Sequence, residues 1–261
     1  MMMHESIDNF CEALCGILGD RVTAIYLYGS VALQDFREGW SDIDLLCLTR
    51  NAPSESEAEQ LVELRQKMTQ DGPTNPYFRM IEGAVVAADE LKADAYTRVV
   101  YWGTSGQRVT DRYSLDVFSR YEWLADGILL YGEDVRRAYR MPDYRDLREG
   151  VRLHLQAIRT YARVTDEQLY SCGWLLDIAR GLYTLRHGTV IAKTAAGEWA
   201  LEKKLCPDGD AMEKALQVRR SPLVYKSHPE TRMWLRSLGP TVQAFADILE
   251  EEFISPHIIR K

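Results

Sequence analysis

Ile7, Phe10, Cys11, Leu14 and Leu18 recur at the period of a helix. They share one face, and the spacing predicts a first amphipathic helix that Gly19–Asp20 stops. The next run, Val22 to Tyr28 (VTAIYLY), is β-branched and aromatic and predicts a strand. Asp42 to Thr49 (DIDLLCLT) predicts a second. Ser54 to Met68 reads as a polar helix, with Ser54 and Glu57 at the spacing of a capping box. Arg79 to Ala88 (RMIEGAVVAA) predicts a third strand, and Ser114 to Leu130 a helix that closes against Tyr131–Gly132. After Pro142 the pattern turns helical throughout: Leu147 to Tyr161, Leu169 to Arg186, Thr194 to Leu205 and Thr231 to Phe253. The break falls at 138–145, where Met141-Pro142-Asp143 interrupts the periodicity. The expectation is an α/β N-terminal domain over 1–141 and an all-α helical bundle over 142–261. No internal repeat or low-complexity tract appears.

Composition narrows the classes. A chain of 261 residues can bury a core without disulfides or a structural metal. With 46% hydrophobic and 27% charged residues, disorder as the main state is excluded. No apolar stretch approaches ~20 residues, so no membrane partner is expected. The start, MMMHESIDNF, places acids and a histidine before the apolar part, which argues against a secretory leader. The five cysteines are odd in number and fit no zinc spacing; Cys11 and Cys15 lie on the apolar helical face and read as core residues. A reducing cytoplasm is the expected location. The net charge of −7 argues against nucleic acid as a partner. That charge is uneven: residues 1–140 hold 23 acids and 14 bases, residues 141–261 hold 16 and 18. The acidic half would draw a cationic ligand, although a plain solvated surface explains the same figures.

The informative segment is Gly29-Ser30, a loop of ten residues, then Ser41-Asp42-Ile43-Asp44. Strand side chains alternate, so Asp42 and Asp44 face the same way, ~6–7 Å apart. Two carboxylates so placed repel each other and suit a divalent cation, which Mg²⁺ chemistry bridges to substrate phosphates. Gly29 lets the backbone approach a phosphate, and Ser30 offers a hydroxyl and an N–H. An exposed edge strand is the blander reading; the apolar run Leu45-Leu46-Cys47-Leu48 makes this strand central instead. Glu82 interrupts the third apolar strand, where a charge is costly without a partner.

This pattern resembles the signature of the nucleotidyltransferase superfamily, with its polymerase-β-like mixed sheet. The segment Asp177-Ile-Ala-Arg180 through Lys193-Thr-Ala-Ala-Gly-Glu198-Trp199 is similar to the helical domain of aminoglycoside adenylyltransferases, which modify streptomycin and spectinomycin at the 3″ or 9 hydroxyl. The resemblance implies AMP transfer from ATP, Mg²⁺ as cofactor, an aminoglycoside acceptor and action as a monomer. Asp42, Asp44 and Glu82 would hold the metal, with Glu82 also the base on the acceptor hydroxyl. Ser30 with Gly29 would contact the phosphates and Lys193 would reach the triphosphate; an exposed lysine near a helix start is the plainer account of Lys193. Arg180 is a weaker candidate, since Asp177 and Arg180 also stand at helical pairing distance. The family places a tyrosine after an Arg-rich turn. Here Pro222 holds that place in Arg219-Arg220-Ser-Pro222-Leu-Val-Tyr225, leaving Tyr225 as its candidate substitute. Trp102, and Trp174 or Asp177, lie in the regions that hold the drug in the family, but their surroundings transfer no role. Three rivals stay open: a nucleotidyltransferase acting on another small molecule or a protein, a non-catalytic nucleotide-binding homologue, and a minimal toxin–antitoxin nucleotidyltransferase.

Overall fold

A computed structural model describes residues 2–103 and 106–254. Those within Met1–Ala32 and Asp42–Met141 form one compact unit, and those within Leu33–Ser41 and Pro142–Lys261 form a second.

The first unit runs α1 (Met3–Leu18), β1 (Val22–Tyr28), α2 (Gly29–Ala32), β2 (Ile43–Thr49), α3 (Glu55–Asp71), α4 (Tyr77–Met80), β3 (Ile81–Ala87) and α5 (Ala88–Ala93). It continues with β4 (Val99–Gly103), β5 (Gly106–Thr110), α6 (Val117–Asp126) and β6 (Ile128–Gly132). The six strands form one mixed sheet in the order β5-β4-β3-β2-β1-β6. Among the described residues, β2 and β3 are the one pair of neighbouring strands that is parallel. These two and β1 are apolar on both faces because both are covered. On one face Trp123 and Leu124 of α6 pack on Ala24, Tyr26, Leu46 and Ala84. On the other, Phe10 of α1 meets Trp102 edge-on at 5.3 Å, and the Trp102 indole donates to Leu61 O at 2.8 Å. Burying each such side chain contributes roughly 1.5–3 kcal/mol. Trp102 is thus a core residue and offers no ligand surface. Cys11 and Cys15 are half-buried at the margin of this packing rather than in the core. The Ser54–Glu57 capping box forms and starts α3.

The helix expected over Ser114 to Leu130 is shorter. Asp116 caps it by accepting from Phe118 N and Ser119 N, and it ends at Gly127. The apolar run that follows is β6, an edge strand on β1 that leaves Ile128 and Tyr131 exposed. β5 pairs antiparallel with β4 on the opposite edge, a pairing that the hydrophobic pattern did not reveal.

The second unit is helical: α7 (Tyr144–Tyr161), α8 (Tyr170–His187), α9 (Lys193–Glu202), α10 (Gly209–Arg220), α11 (Pro222–Tyr225), α12 (Pro229–Arg236) and α13 (Gly239–Ile254). Asp143 caps α7 through a capping box. α8 is the central helix, buried over most of its length, and Gly188 ends it in the left-handed region. The single helix expected over Thr231 to Phe253 is two. Pro240, which lacks an N–H, sits in the first turn of α13, and the break before it buries Leu238. α10, capped by Asp208, was not legible from periodicity. Among the described residues no helix is long and apolar enough to cross a membrane.

The segment 33–41, between α2 and β2, belongs to this helical unit. Asp35 is 4% exposed and its carboxylate meets the Arg219 guanidinium at 2.6 Å; Arg219 is 3% exposed. Thr194 Oγ1 donates to Asp35 Oδ1 at 2.6 Å, and Arg219 lies over the Trp40 ring at 5.4 Å. A buried carboxylate in a loop is stable only with such partners.

Candidate active site

β1 is antiparallel to β2, so its last residue, Tyr28, lies opposite Asp44, the second residue of β2. β3 is parallel to β2, so Glu82, its second residue, lies beside Asp44. Topology therefore brings Gly29, Asp44 and Glu82 to one end of three central strands, with Asp42 two residues before Asp44. All three carboxylates are half-buried. Gly29 turns the chain there with φ +63°, and a Cβ at that position would overlap the Asp44 carboxylate. Ser30 closes the adjoining loop: its hydroxyl donates to Asp42 O at 3.3 Å.

Charge around Asp44 is one-sided. Burial, and then the carboxylates of Glu122, Asp42, Glu82 and Asp116, push Asp44 well above the usual carboxylate range. Glu122 and Asp116 come from the helix α6 and its cap, and carried no motif in the sequence. Tyr101 of β4 was missed as well; its hydroxyl donates to Glu82 Oε1 at 2.7 Å. Nearby, Arg65 of α3 donates to Ile81 O at 2.9 Å and Gly103 O at 3.2 Å. Side-chain positions do not converge on a point: among the described residues, no three His, Cys, Asp or Glu stand close enough together to hold an ion. The donor chemistry nonetheless fits a hard divalent cation, being all carboxylate oxygen and mutually repulsive.

The remaining predicted residues lie in the helical unit. Asp177 is 4% exposed, with Lys193 Nζ at 2.8 Å, His154 Nε2 at 3.5 Å and Arg180 at 3.8 Å. Burial alone would raise Asp177; Lys193, His154 and Arg180 outweigh it and hold the carboxyl well below its ordinary range. Asp177 thus gathers Lys193 and Arg180 at one place. Trp174 stands beside it, its ring 6.0 Å from His154 and 5.9 Å from Tyr170. Tyr225 lies on the short α11, half-buried, its ring 5.9 Å from His228. A cavity of about 600 Å³ opens within this unit between Trp40, Tyr170, Lys226 and Arg232.

Residues 7–92 match the family described as nucleotidyltransferase domain. Residues 142–250 match the family described as aminoglycoside adenylyltransferase, C-terminal domain. Among solved structures, the chain is similar in fold to spectinomycin adenyltransferase AAD(9) from Enterococcus faecialis, solved with ATP and spectinomycin. The identity is 16%, the likeness covers 95% of this chain and 99% of that one, and the TM-score is 0.67. A toxin–antitoxin with AMP-PNP shares 17% identity over 59% of this chain and 92% of its own, with a TM-score of only 0.29. No curated protein matches the chain in sequence.

Proposed function

The chain belongs to the aminoglycoside adenylyltransferase family of the nucleotidyltransferase superfamily, and from that premise we infer that it transfers AMP from ATP to a hydroxyl of an aminoglycoside or aminocyclitol such as streptomycin or spectinomycin. The observation that carries the reading is the Asp44–Glu82 pair, side by side across β2 and β3, with Gly29 clearing the space at Asp44.

Asp42, Asp44 and Glu82 are the residues that would hold Mg²⁺. When bound, the ion neutralises phosphate charge and orients the α-phosphorus for in-line attack. Glu82 is also the base: it accepts the proton of the acceptor hydroxyl as the oxygen–phosphorus bond forms and pyrophosphate leaves. Gly29 and Ser30 offer backbone and hydroxyl to the phosphates. From the helical unit, Lys193 is the triphosphate's charge partner, an ammonium that Asp177 keeps oriented until the nucleotide competes for it. Arg180 and Tyr225 complete the nucleotide contacts of that unit.

The test is pyrophosphate release from Mg-ATP by the purified chain against streptomycin, spectinomycin and other aminoglycosides. Drug-dependent release is the expected result. Glu82→Gln should then lower kcat by about 10²–10⁴-fold, the usual worth of a general base. Lys193→Ala should weaken ATP binding, read by calorimetry, more than acceptor binding. Bound ATP with no release across the panel would move the acceptor outside this drug class. Full turnover by Glu82→Gln would remove Glu82 as the base.

A further inference from the structure

We propose that Tyr101 is a positioning residue for Glu82, its phenol holding one carboxylate oxygen so that the other is presented to the reacting hydroxyl. The inference rests on the reading of Glu82 as the base and names a residue that reading does not supply.

Several independent features converge on this one hydrogen bond. Tyr101 Oη donates to Glu82 Oε1 at 2.7 Å. Gly103, two residues along the same strand, leaves the space in which the two groups meet; a Cβ there would overlap both the Tyr101 hydroxyl and Glu82 Oε1. Arg65 ties the backbone on both sides, donating to Ile81 O, next to Glu82, and to Gly103 O. Arg65 also donates to Gln107 Oε1 at 3.0 Å, in β5. The Arg108 guanidinium lies 4.5 Å from the centre of the Tyr101 ring and fixes the ring on its face.

The need for such a device follows from the charges. The terminal torsion of a glutamate is soft and roughly two-fold. Asp44 and Asp42 repel the Glu82 carboxylate, and an untethered side chain on a half-buried strand end would turn towards water. A base must stand within hydrogen-bond reach of its proton, so that freedom costs rate. Tyrosine is suited to the tether because its donor is neutral. A lysine or arginine in its place would hold Glu82 equally well but would set a full charge directly on the carboxylate, beyond that of Arg65 nearby, and weaken its pull on a cation.

The experiment uses the full chain with Tyr101→Phe, Gly103→Ala, Glu82→Gln and the Tyr101→Phe/Glu82→Gln double variant. Turnover is read as pyrophosphate release from Mg-ATP with streptomycin and with spectinomycin. Metal affinity is read by electron paramagnetic resonance, titrating Mn²⁺ into protein with AMP-PNP. Tyr101→Phe should lower kcat about 10–100-fold with KM for ATP unchanged, and weaken Mn²⁺ by a similar factor, as loss of a partner behind a ligand does. Gly103→Ala, which keeps both side chains and displaces them, should move both readouts the same way. Added to Glu82→Gln, Tyr101→Phe should cost nothing further, because it acts only through Glu82. Wild-type kcat and Mn²⁺ affinity in Tyr101→Phe overturn the proposal, and so does a full additional loss in the double variant. Gly103→Ala decides if Tyr101→Phe does not fold, and Mn²⁺ affinity decides if neither drug turns over. Failure of the underlying reading looks different: Glu82→Gln then turns over normally, or the wild type binds no Mn²⁺.

Discussion

Gly29 and Asp44 are a matched pair. The backbone at Gly29 has φ +63°, and the Asp44 carboxylate occupies the space where any side chain at 29 would begin. Gly29→Ala therefore carries two separable penalties: left-handed strain, more than about 1 kcal/mol, and displacement of Asp44. Replacing Asp44 by alanine removes the overlapping carboxylate and leaves the strain with one tight contact, 3.3 Å to the remaining Cβ. Urea unfolding should accordingly show Gly29→Ala/Asp44→Ala to be more stable than the two single changes sum to. Strict additivity would mean that the two residues do not meet. Asp44→Asn should go the other way from most substitutions: with no metal added, it should melt higher than the wild type while losing transfer. Burial and four nearby carboxylates disfavour the Asp44 charge, so a neutral isostere relieves the fold and removes the proposed metal ligand. The Asp42–Asp44 pair was legible because strand alternation is local, and Glu82 because a charge interrupts an apolar run; that Glu82 falls beside Asp44 is set by the sheet order. Tyr101, Glu122 and Asp116 were not, because only the sheet order brings Tyr101 to Glu82 and only the seat of α6 brings Glu122 and Asp116 to Asp44.

The 33–41 segment is the element whose place the sequence conceals. It lies between two strands of the α/β unit, yet Asp35 pairs with Arg219, 184 positions away, inside the helical unit. No periodicity marks such a contact, whereas the amphipathic α1 and the capping box of α3 announce themselves over a few residues. Local apolar runs also misled: Ile128-Leu-Leu-Tyr131 fits the end of a helix as readily as an edge strand, and Gly127 decides between them. The ion pair has a definite pH signature. Burial alone would raise Asp35, but the Arg219 charge and the bonds from Thr194 and Arg219 lower it below the ordinary value. A lowered carboxyl stabilises the fold above its unfolded pKa, ~3.9, and that contribution is lost as pH falls through the lower folded value. Asp35→Asn should thus cost about 3–5 kcal/mol near neutrality, where it strands a buried guanidinium. The gap to the wild type should narrow as pH falls below about 4. Equal stability of the two proteins at pH 7 would show that the pair holds nothing.

At the scale of the whole chain, charge is what would separate the two proposed substrates. Residues 1–140 carry 23 acids against 14 bases, while the rest of the chain is nearly balanced. A net negative field of this kind attracts a polycationic acceptor and repels the ATP anion, and both effects are screened as ions are added. The screening length falls from ~30 Å at 0.01 M to ~10 Å at 0.1 M and ~3 Å at 1 M, so the range of practical buffers covers the whole change. Raising salt should therefore lower kcat/KM for an aminoglycoside, chiefly through KM. Over the same series the KM for ATP should stay level or fall, because its repulsion is screened too. Opposite slopes are what distinguish steering from general inhibition by salt, which would depress both substrates together. The measurement is a pair of initial-rate series, each substrate varied in turn with the other saturating and free Mg²⁺ held constant. Parallel slopes, or no dependence for the cationic substrate, would mean that the acidic half is solvated surface with no part in drawing in the acceptor.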